Sequence, residues 1–241
     1  MRLEAELERA RELSVDELAD AIEAIGFECT RCGGCCKAVE GDDGTEEHTA
    51  TVFPDEVRDL QDATAAFNEE YDWRDLARPM PYGVTDGPDG PEGETLEWAL
   101  QTDACGDCVF YEEDETAGDD GPGTCTVHED RPLICRTYPF SVVLDGEDAA
   151  DADDAALARP MGEAVDREGP VRAHECEGLG RDISRADATE LAAALKQRAV
   201  RELEEAIAVR ENYEPRPGTD GVVVHDSEGT KRPDGRPLDS R

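Results

Sequence analysis

Four of the eight residues from Cys29 to Cys36 are cysteine, in the order Cys29-x2-Cys32-x2-Cys35-Cys36, with Gly33 and Gly34 among them. A single cysteine is often just a small buried hydrophobe, but packing does not explain this density of thiols. A two-residue spacer lets both sulfurs of a knuckle turn toward one ion. Glycine permits the tight backbone whose N–H groups point at sulfur. Further along stand Cys105-x2-Cys108 with Gly106 between them, then Cys125, Cys135 and Cys176. The knuckles Cys29/Cys32 and Cys105/Cys108 could alone make a four-thiolate zinc site. Vicinal Cys35 and Cys36 project to opposite sides of an extended chain, so the full set implies two metals or a multinuclear cluster. The opening C-x2-C-x2-C also has the spacing of the first three ligands of bacterial ferredoxin sites, with the fourth to come from elsewhere. The ligand pool is therefore Cys29, Cys32, Cys35, Cys36, Cys105, Cys108, Cys125 and Cys135, with Cys176 as a further candidate because His174-x-Cys176 pairs it with a histidine. All-thiolate chemistry suits either Zn²⁺ or an Fe–S cluster, 4Fe–4S first among the latter.

Composition says why a metal is needed. Only 38% of the 241 residues are hydrophobic and 5% aromatic, while Gly 22 and Pro 14 imply many turns, so apolar burial has little with which to offset chain entropy. The 61 Asp and Glu against 24 Lys and Arg leave a net charge of −37. Such a surface does not coat nucleic acid by counterion release and is repelled by anionic lipid. Only three of the cations are lysine, and this arginine-biased, carboxylate-rich composition resembles salt-in halophile proteomes. No run approaches 18 apolar residues, and the start is charged, so a soluble, cytoplasmic protein is expected, where thiols stay reduced.

Leu3, Leu7, Ala10 and Leu13 recur at helical spacing, and Ser14-Val15-Asp16-Glu17 starts a second helix that ends at Gly26. A Cys/Gly loop follows over 27–39. Pro54 opens a third helix running to Phe67, and a short one lies around Tyr71 to Leu76. Residues 79–94 read as a loop, and Leu96, Trp98 and Leu100 as a strand. Acidic loops occupy 112–123 and 145–156. Cys125–His128 and Leu133–Leu144 read as short strands around a turn. Ser184 with Asp187 caps a helix over about 184–212, with Leu191, Leu195, Leu203 and Ile207 along one side. The expected fold is α+β: a mostly helical single domain over 1–213 around a loop-and-hairpin core stapled by cysteine-bound metal. A mobile tail, 214–241, carries one possible strand at Val222–His225.

The set Phe27-x-Cys29-x2-Cys32-Gly33-Gly34-Cys35-Cys36, Cys105-x2-Cys108-x-Phe110 and Cys125-Thr126-Val127-His128 through Arg131-Pro132-Leu133-Ile134-Cys135-Arg136-Thr137-Tyr138-Pro139-Phe140 resembles the YkgJ-type cysteine-cluster family over about residues 27–140. That resemblance implies a zinc- or iron-chelating domain of a kind often labelled Fe–S oxidoreductase. Val127 and His128 depart from the family's usual residues, which raises His128 as an accessory ligand. Read physically, Arg131 and Arg136 either offset thiolate charge or pair with surface carboxylates, and Tyr138, Pro139 and Phe140 would shield a metal from water. His48 and His225 stand alone in sequence. Nucleotide-binding glycine loops and a Ser/His/Asp elbow are missing from the sequence. Three functions follow: an Fe–S protein with an electron-transfer or oxidoreductase role and an unidentified redox partner; a zinc-stapled interaction module; and, from a resemblance to flagellin lysine N-methylases alone, a methylase-like activity.

Overall fold

The computed structural model describes residues 2–41, 44–65, 71–88, 90–113, 123–144 and 164–238. Most of the two acidic loops (114–122 and 145–156) and the last two residues of the helix expected to reach Phe67 lie outside the described residues. In chain order the elements are α1 (Arg2–Glu12), α2 (Val15–Ile25), β1 (Val39–Gly41), β2 (Gly44–Glu46), β3 (Thr51–Val52), α3 (Pro54–Ala65), α4 (Trp73–Leu76), β4 (Ala77–Pro79), β5 (Val84–Gly87), β6 (Gly90–Thr95) and β7 (Trp98–Leu100). They continue with β8 (Tyr111–Glu113), β9 (Gly123–Cys125), a 3-10 turn (His128–Asp130), α5 (Leu133–Thr137), β10 (Phe140–Val142), β11 (Ala164–Glu168), β12 (Val171–His174), α6 (Arg185–Asn212), β13 (Val222–Asp226) and β14 (Gly229–Lys231). Helix accounts for 37% and strand for 27%, so the class is a mixed α+β one whose strands are spread over several small sheets.

The chain divides into two compact units. The first comprises Met1–Cys35, Asp114–Gly123 and Leu133–Glu204; the second comprises Cys36–Glu113, Thr124–Pro132 and Glu205–Arg241.

In the first unit, Leu18, Ala21, Ile22 and Ile25 recur at the spacing that puts them on one side of α2, and all are buried. Ser14 Oγ accepts the Glu17 N–H at 3.3 Å at one end. At the other end Gly26, at φ 77°, donates its N–H to Ile22 O at 2.8 Å. The α2 stripe clusters with Phe140, Val171 and Ala173 of the antiparallel sheet β10-β12-β11, and with Ala188, Ala192 and Leu195 of α6. Of the four residues expected along α6, Leu195 is fully buried and Leu191 packs at the cluster's edge. The inward face is otherwise alanine, whose small side chain lets a helix approach closely. Ser184 Oγ caps α6 by accepting the Asp187 N–H at 3.2 Å. Arg198, largely buried in α6, donates to Thr137 Oγ1 (3.1 Å) and Phe140 O (3.2 Å), which ties α6 to the α5–β10 corner.

That corner differs from its expected form. Leu133–Thr137 is helical, and only Phe140–Val142 of the expected strand pairs in a sheet. Pro132, read as a turn residue, is placed to start a helix instead: its fixed φ suits a first turn, which has no need of its missing N–H. Thr137 Oγ1 then donates back to Leu133 O at 2.7 Å.

The second unit holds the sheets β3-β7-β4 and β14-β13-β6-β5 and the two-stranded pairs β1-β2 and β8-β9. The strand expected at Leu96–Leu100 is β7, central in its sheet and buried at all three residues. The loop expected over 79–94 is for the most part the antiparallel hairpin β5-β6, with Val84 opposite Gly93. Glycine stands there because the backbones nearly touch: a Cβ on Gly83 would lie 2.3 Å from Glu94 O, and one on Gly93 2.2 Å from Gly83 O. The strand expected at Val222–His225 is β13, parallel to β6 with Val223 opposite Glu94 and antiparallel to β14. The segment that reads as a tail by composition thus supplies two strands of a four-stranded sheet.

At the end of β13, Asp226 is 1% exposed; its Oδ2 accepts the Trp98 indole N–H at 2.8 Å and pairs with buried Lys231 Nζ at 2.8 Å. Lys231 also lies over the Trp73 ring, 5.2 Å from its centroid. Glu228 takes both guanidinium nitrogens of Arg58 (2.5 and 3.2 Å), and Lys231 Nζ at 2.6 Å. The Arg58 hydrogen bonds above all, then Lys231, hold the Glu228 carboxyl down at about 2 against an ordinary 4.5. A carboxylate whose folded pKa is depressed stabilises the fold above its unfolded pKa and loses that contribution as pH falls through the folded one. Stability is therefore expected to drop as pH falls from about 4.5 toward 2, and the drop should be shallower in E228Q. Urea midpoints measured across that range check this, and identical slopes in the two proteins contradict it. Among the described residues no helix is long and apolar enough to cross a membrane.

Candidate metal centre

In the first unit the chain leaving α2 is zipped onto the segment ahead of α6. Phe27 bridges Leu179 in antiparallel fashion, Glu28 N–H donates to Gly178 O (3.0 Å), and Gly180 N–H donates to Gly26 O (3.0 Å). Continued by one residue, this register brings Cys29 opposite the turn that begins at Cys176. Glycine is required at the crossing, since a Cβ on Gly178 would lie 2.2 Å from Glu28 O. The same Gly178 donates its N–H to Cys176 Sγ at 3.4 Å, the amide-to-sulfur bond of a metal knuckle. The cysteine run itself turns tightly, with positive φ at Arg31 (59°) and Gly33 (79°). A Cβ on Gly34 would stand 3.7 Å from Cys32 Sγ.

Cys29, Cys32 and Cys35 are exposed and Cys176 is half-buried. Burial pushes the Cys176 thiol up, the Gly178 N–H opposes that shift, and the charges of Cys32, Cys35 and Cys29 raise it further. Tyr138, whose hydroxyl donates to Glu175 O at 2.5 Å, is pushed up to about 12, first by burial and then by Cys176, Cys35 and Cys32. Cys29, Cys32, Cys35, Cys176 and the Tyr138 phenol thus lie near enough for ionisation of one to act on another. Among the described residues no three His, Cys, Asp or Glu side chains converge at coordination distance.

Five cysteines remain. Cys135 is half-buried in α5 of the first unit. The boundary between the units falls between Cys35 and Cys36, and Cys36, Cys105, Cys108 and Cys125 belong to the second. There Asp103 Oδ1 accepts the Cys105 and Asp107 N–H groups (2.8 and 3.1 Å), which shapes the Cys105–Cys108 knuckle. Cys108 is buried and donates its N–H to Cys36 O at 2.8 Å, while Cys105 is exposed.

Among the histidines, His174 is buried and bonds Ser141 Oγ through Nε2 at 2.9 Å, so its proximity to Cys176 in sequence serves the β10-β12 sheet. His225 meets Glu94 at 2.8 Å, and His128 lies beside Glu129 at 3.3 Å. His48 is pushed down to about 4 by burial and by Arg78, and stays neutral. Arg131 donates to His128 O at 2.8 Å and closes the 3-10 turn. Of the three residues expected to shield a metal, Tyr138 is beside the thiols, whereas Phe140 is fully buried and meets Phe27 edge-on at 5.5 Å.

A tight loop of three exposed thiols in the same unit as a fourth, half-buried one defines the class: a cysteine-cluster protein. The chain belongs to the CxxCxxCC family, described as "Putative zinc- or iron-chelating domain", which matches residues 28–177, more than half of its length. The matched region takes in all nine cysteines, including Cys176 beyond the motifs that carried the resemblance. Neither a curated protein nor a solved structure matches the chain.

Proposed function

We propose that Cys29, Cys32, Cys35 and Cys176 hold a 4Fe–4S cluster, and that the protein transfers single electrons to or from a protein partner, alone or as the redox part of an oxidoreductase. The observation that carries this reading is the meeting of a C-x2-C-x2-C run with one remote thiol, a ferredoxin-type ligand set. When bound, such a cluster supplies reversible one-electron chemistry. The chain's own residues support it in three ways. Gly178 N–H, aimed at Cys176 Sγ, stabilises thiolate charge. The half-buried Tyr138 ring, near the thiols, would limit the water that reaches them. The exposure of Cys29, Cys32 and Cys35 leaves the centre within reach of a docking protein. A zinc staple is the second reading, favoured by the small sheets of a chain with a thin core.

Anaerobically purified protein is expected to be brown, with broad visible absorbance and about four iron and four sulfide per chain. Colourless protein carrying zinc alone overturns the cluster and leaves the zinc reading.

A further inference from the structure

The sheet β14-β13-β6-β5 of the second unit is finished on one side and open on the other. Beyond β14, Lys231 bridges Pro237 in antiparallel fashion and Leu238 N–H donates to Thr230 O at 2.8 Å, so the chain's own C-terminal segment caps that edge. Beyond β5 no strand is paired among the described residues. Proline fixes which groups that open edge presents. Asp86 stands opposite Pro91, which has no N–H, so the ladder between β5 and β6 runs through Thr85–Glu92 and Gly87–Gly90. Asp86 therefore turns both its N–H and its C=O away from β6. Val84 is turned the same way: its own N–H donates to Pro81 O at 3.2 Å, while that of Gly93, opposite it, donates to Gly221 O at 3.3 Å. Val84 C=O, Asp86 N–H and Asp86 C=O thus form a row of backbone groups facing outward.

The side chains along this row are acidic on both faces of the strand. Asp86 is exposed on one face. On the other, exposed Glu92 lies over the edge strand, with its carboxylate carbon 2.6 Å from where a Cβ on Gly87 would stand. Among the described residues neither carboxylate is paired with a cation. Tyr82, two residues before Val84, is 46% exposed, and an aromatic ring at that place gives a guanidinium a face to lie on. We infer that β5 is a docking edge, and that it takes one extended, arginine- or lysine-bearing segment of a partner protein as a fifth strand of the sheet. Backbone bonds to Asp86 and Val84 hold that segment, and its basic side chains meet Asp86 and Glu92. With only three outward backbone groups the bonds are few, so charge attraction supplies the rest of the selection. A second copy of the chain is the poorer occupant. Pairing two β5 edges sets acidic strand on acidic strand, and like charges directly opposite destabilise a sheet, here between chains of net charge −37. Nothing in this edge depends on what the cysteines hold.

The probe is a fluorescein-labelled peptide of alternating arginine and valine, titrated against the full-length chain by fluorescence anisotropy in about 50 mM salt, where surface charge is weakly screened. Wild type should bind it saturably at one site, and amide hydrogen exchange followed by NMR should slow at Asp86. D86K should weaken binding about five-fold, the difference between an attractive and a repulsive cross-strand pair. D86P, which removes the outward N–H, should weaken it further. Circular dichroism confirms folding, and D86K covers the case in which D86P disturbs the hairpin. Asp62 is exposed in α3, and D62K changes the net charge as much as D86K does, so it should leave binding unchanged. The same peptide with glutamate for arginine should not bind. Equal weakening in D62K and D86K, or unslowed exchange at Asp86, overturns the docking edge in favour of diffuse attraction to an acidic surface. Binding of the glutamate peptide as tight as that of the arginine peptide overturns the basic occupant. A dimer of the chain that D86P dissociates overturns it too, and gives the edge to a second copy.

Discussion

Replacing Cys176 by serine is expected to cut bound iron and sulfide by more than about ten-fold while the far-ultraviolet spectrum stays unchanged, whereas C105S keeps wild-type iron. Outer-shell losses around metal sites already cost about ten- to a hundred-fold in affinity, and removing a thiolate ligand costs at least as much. Serine conserves the size of the side chain, and the zipper formed by Phe27–Leu179 and the Gly178 and Gly180 backbone bonds does not involve the sulfur, so the fold has no reason to change. The contrast with Cys105 is what gives the comparison force. Both are single cysteines next to a compact turn, but Cys105 is exposed in the second unit and Cys176 lies where the charges of Cys29, Cys32 and Cys35 reach it. Full retention of iron in C176S sinks the assignment of the fourth ligand.

The helices were legible because each carries its own signal: an apolar stripe of period 3.6 and a cap, as in Ser14 and Gly26 around α2. Strand β7 was legible from alternation and an aromatic residue. What misled was glycine and proline. In β5-β6 glycine marks the closest backbone approach in the hairpin, a tertiary fact that composition alone reads as a loop. Pro132 immediately precedes α5, where composition reads a turn between strands. The candidate site was half legible. The density at Cys29–Cys36 is plain in the sequence, but sequence spacing cannot show that Phe27 pairs with Leu179, the pairing that brings in the segment carrying Cys176. A local signal was available: Cys176-Glu177-Gly178 repeats the cysteine-with-glycine pattern of the other knuckles, and it is there that the amide-to-sulfur bond is found.

The same limit applies to the C-terminal segment, and it yields the largest expected loss of stability. D226A should cost about 3–5 kcal/mol, the penalty for removing one partner of a buried ion pair. Buried Lys231 would lose its buried carboxylate partner and keep only the more exposed Glu228, and the Trp98 indole N–H would lose its acceptor in a buried setting. D226N should cost less, because an amide oxygen can still accept from Trp98. The pair replacement D226L/K231M should recover much of the loss, since an apolar pair of similar volume removes the stranded charge rather than creating one. Midpoints of urea unfolding, with slopes compared to exclude a change in denatured-state compactness, measure all three. If 214–241 were a solvated tail, D226A would fall within about 0.5 kcal/mol of wild type, the range of ordinary surface substitutions. The ordering D226A, then D226N, then the double variant separates a sheet held by a buried charge network from a strand that merely rests on the surface.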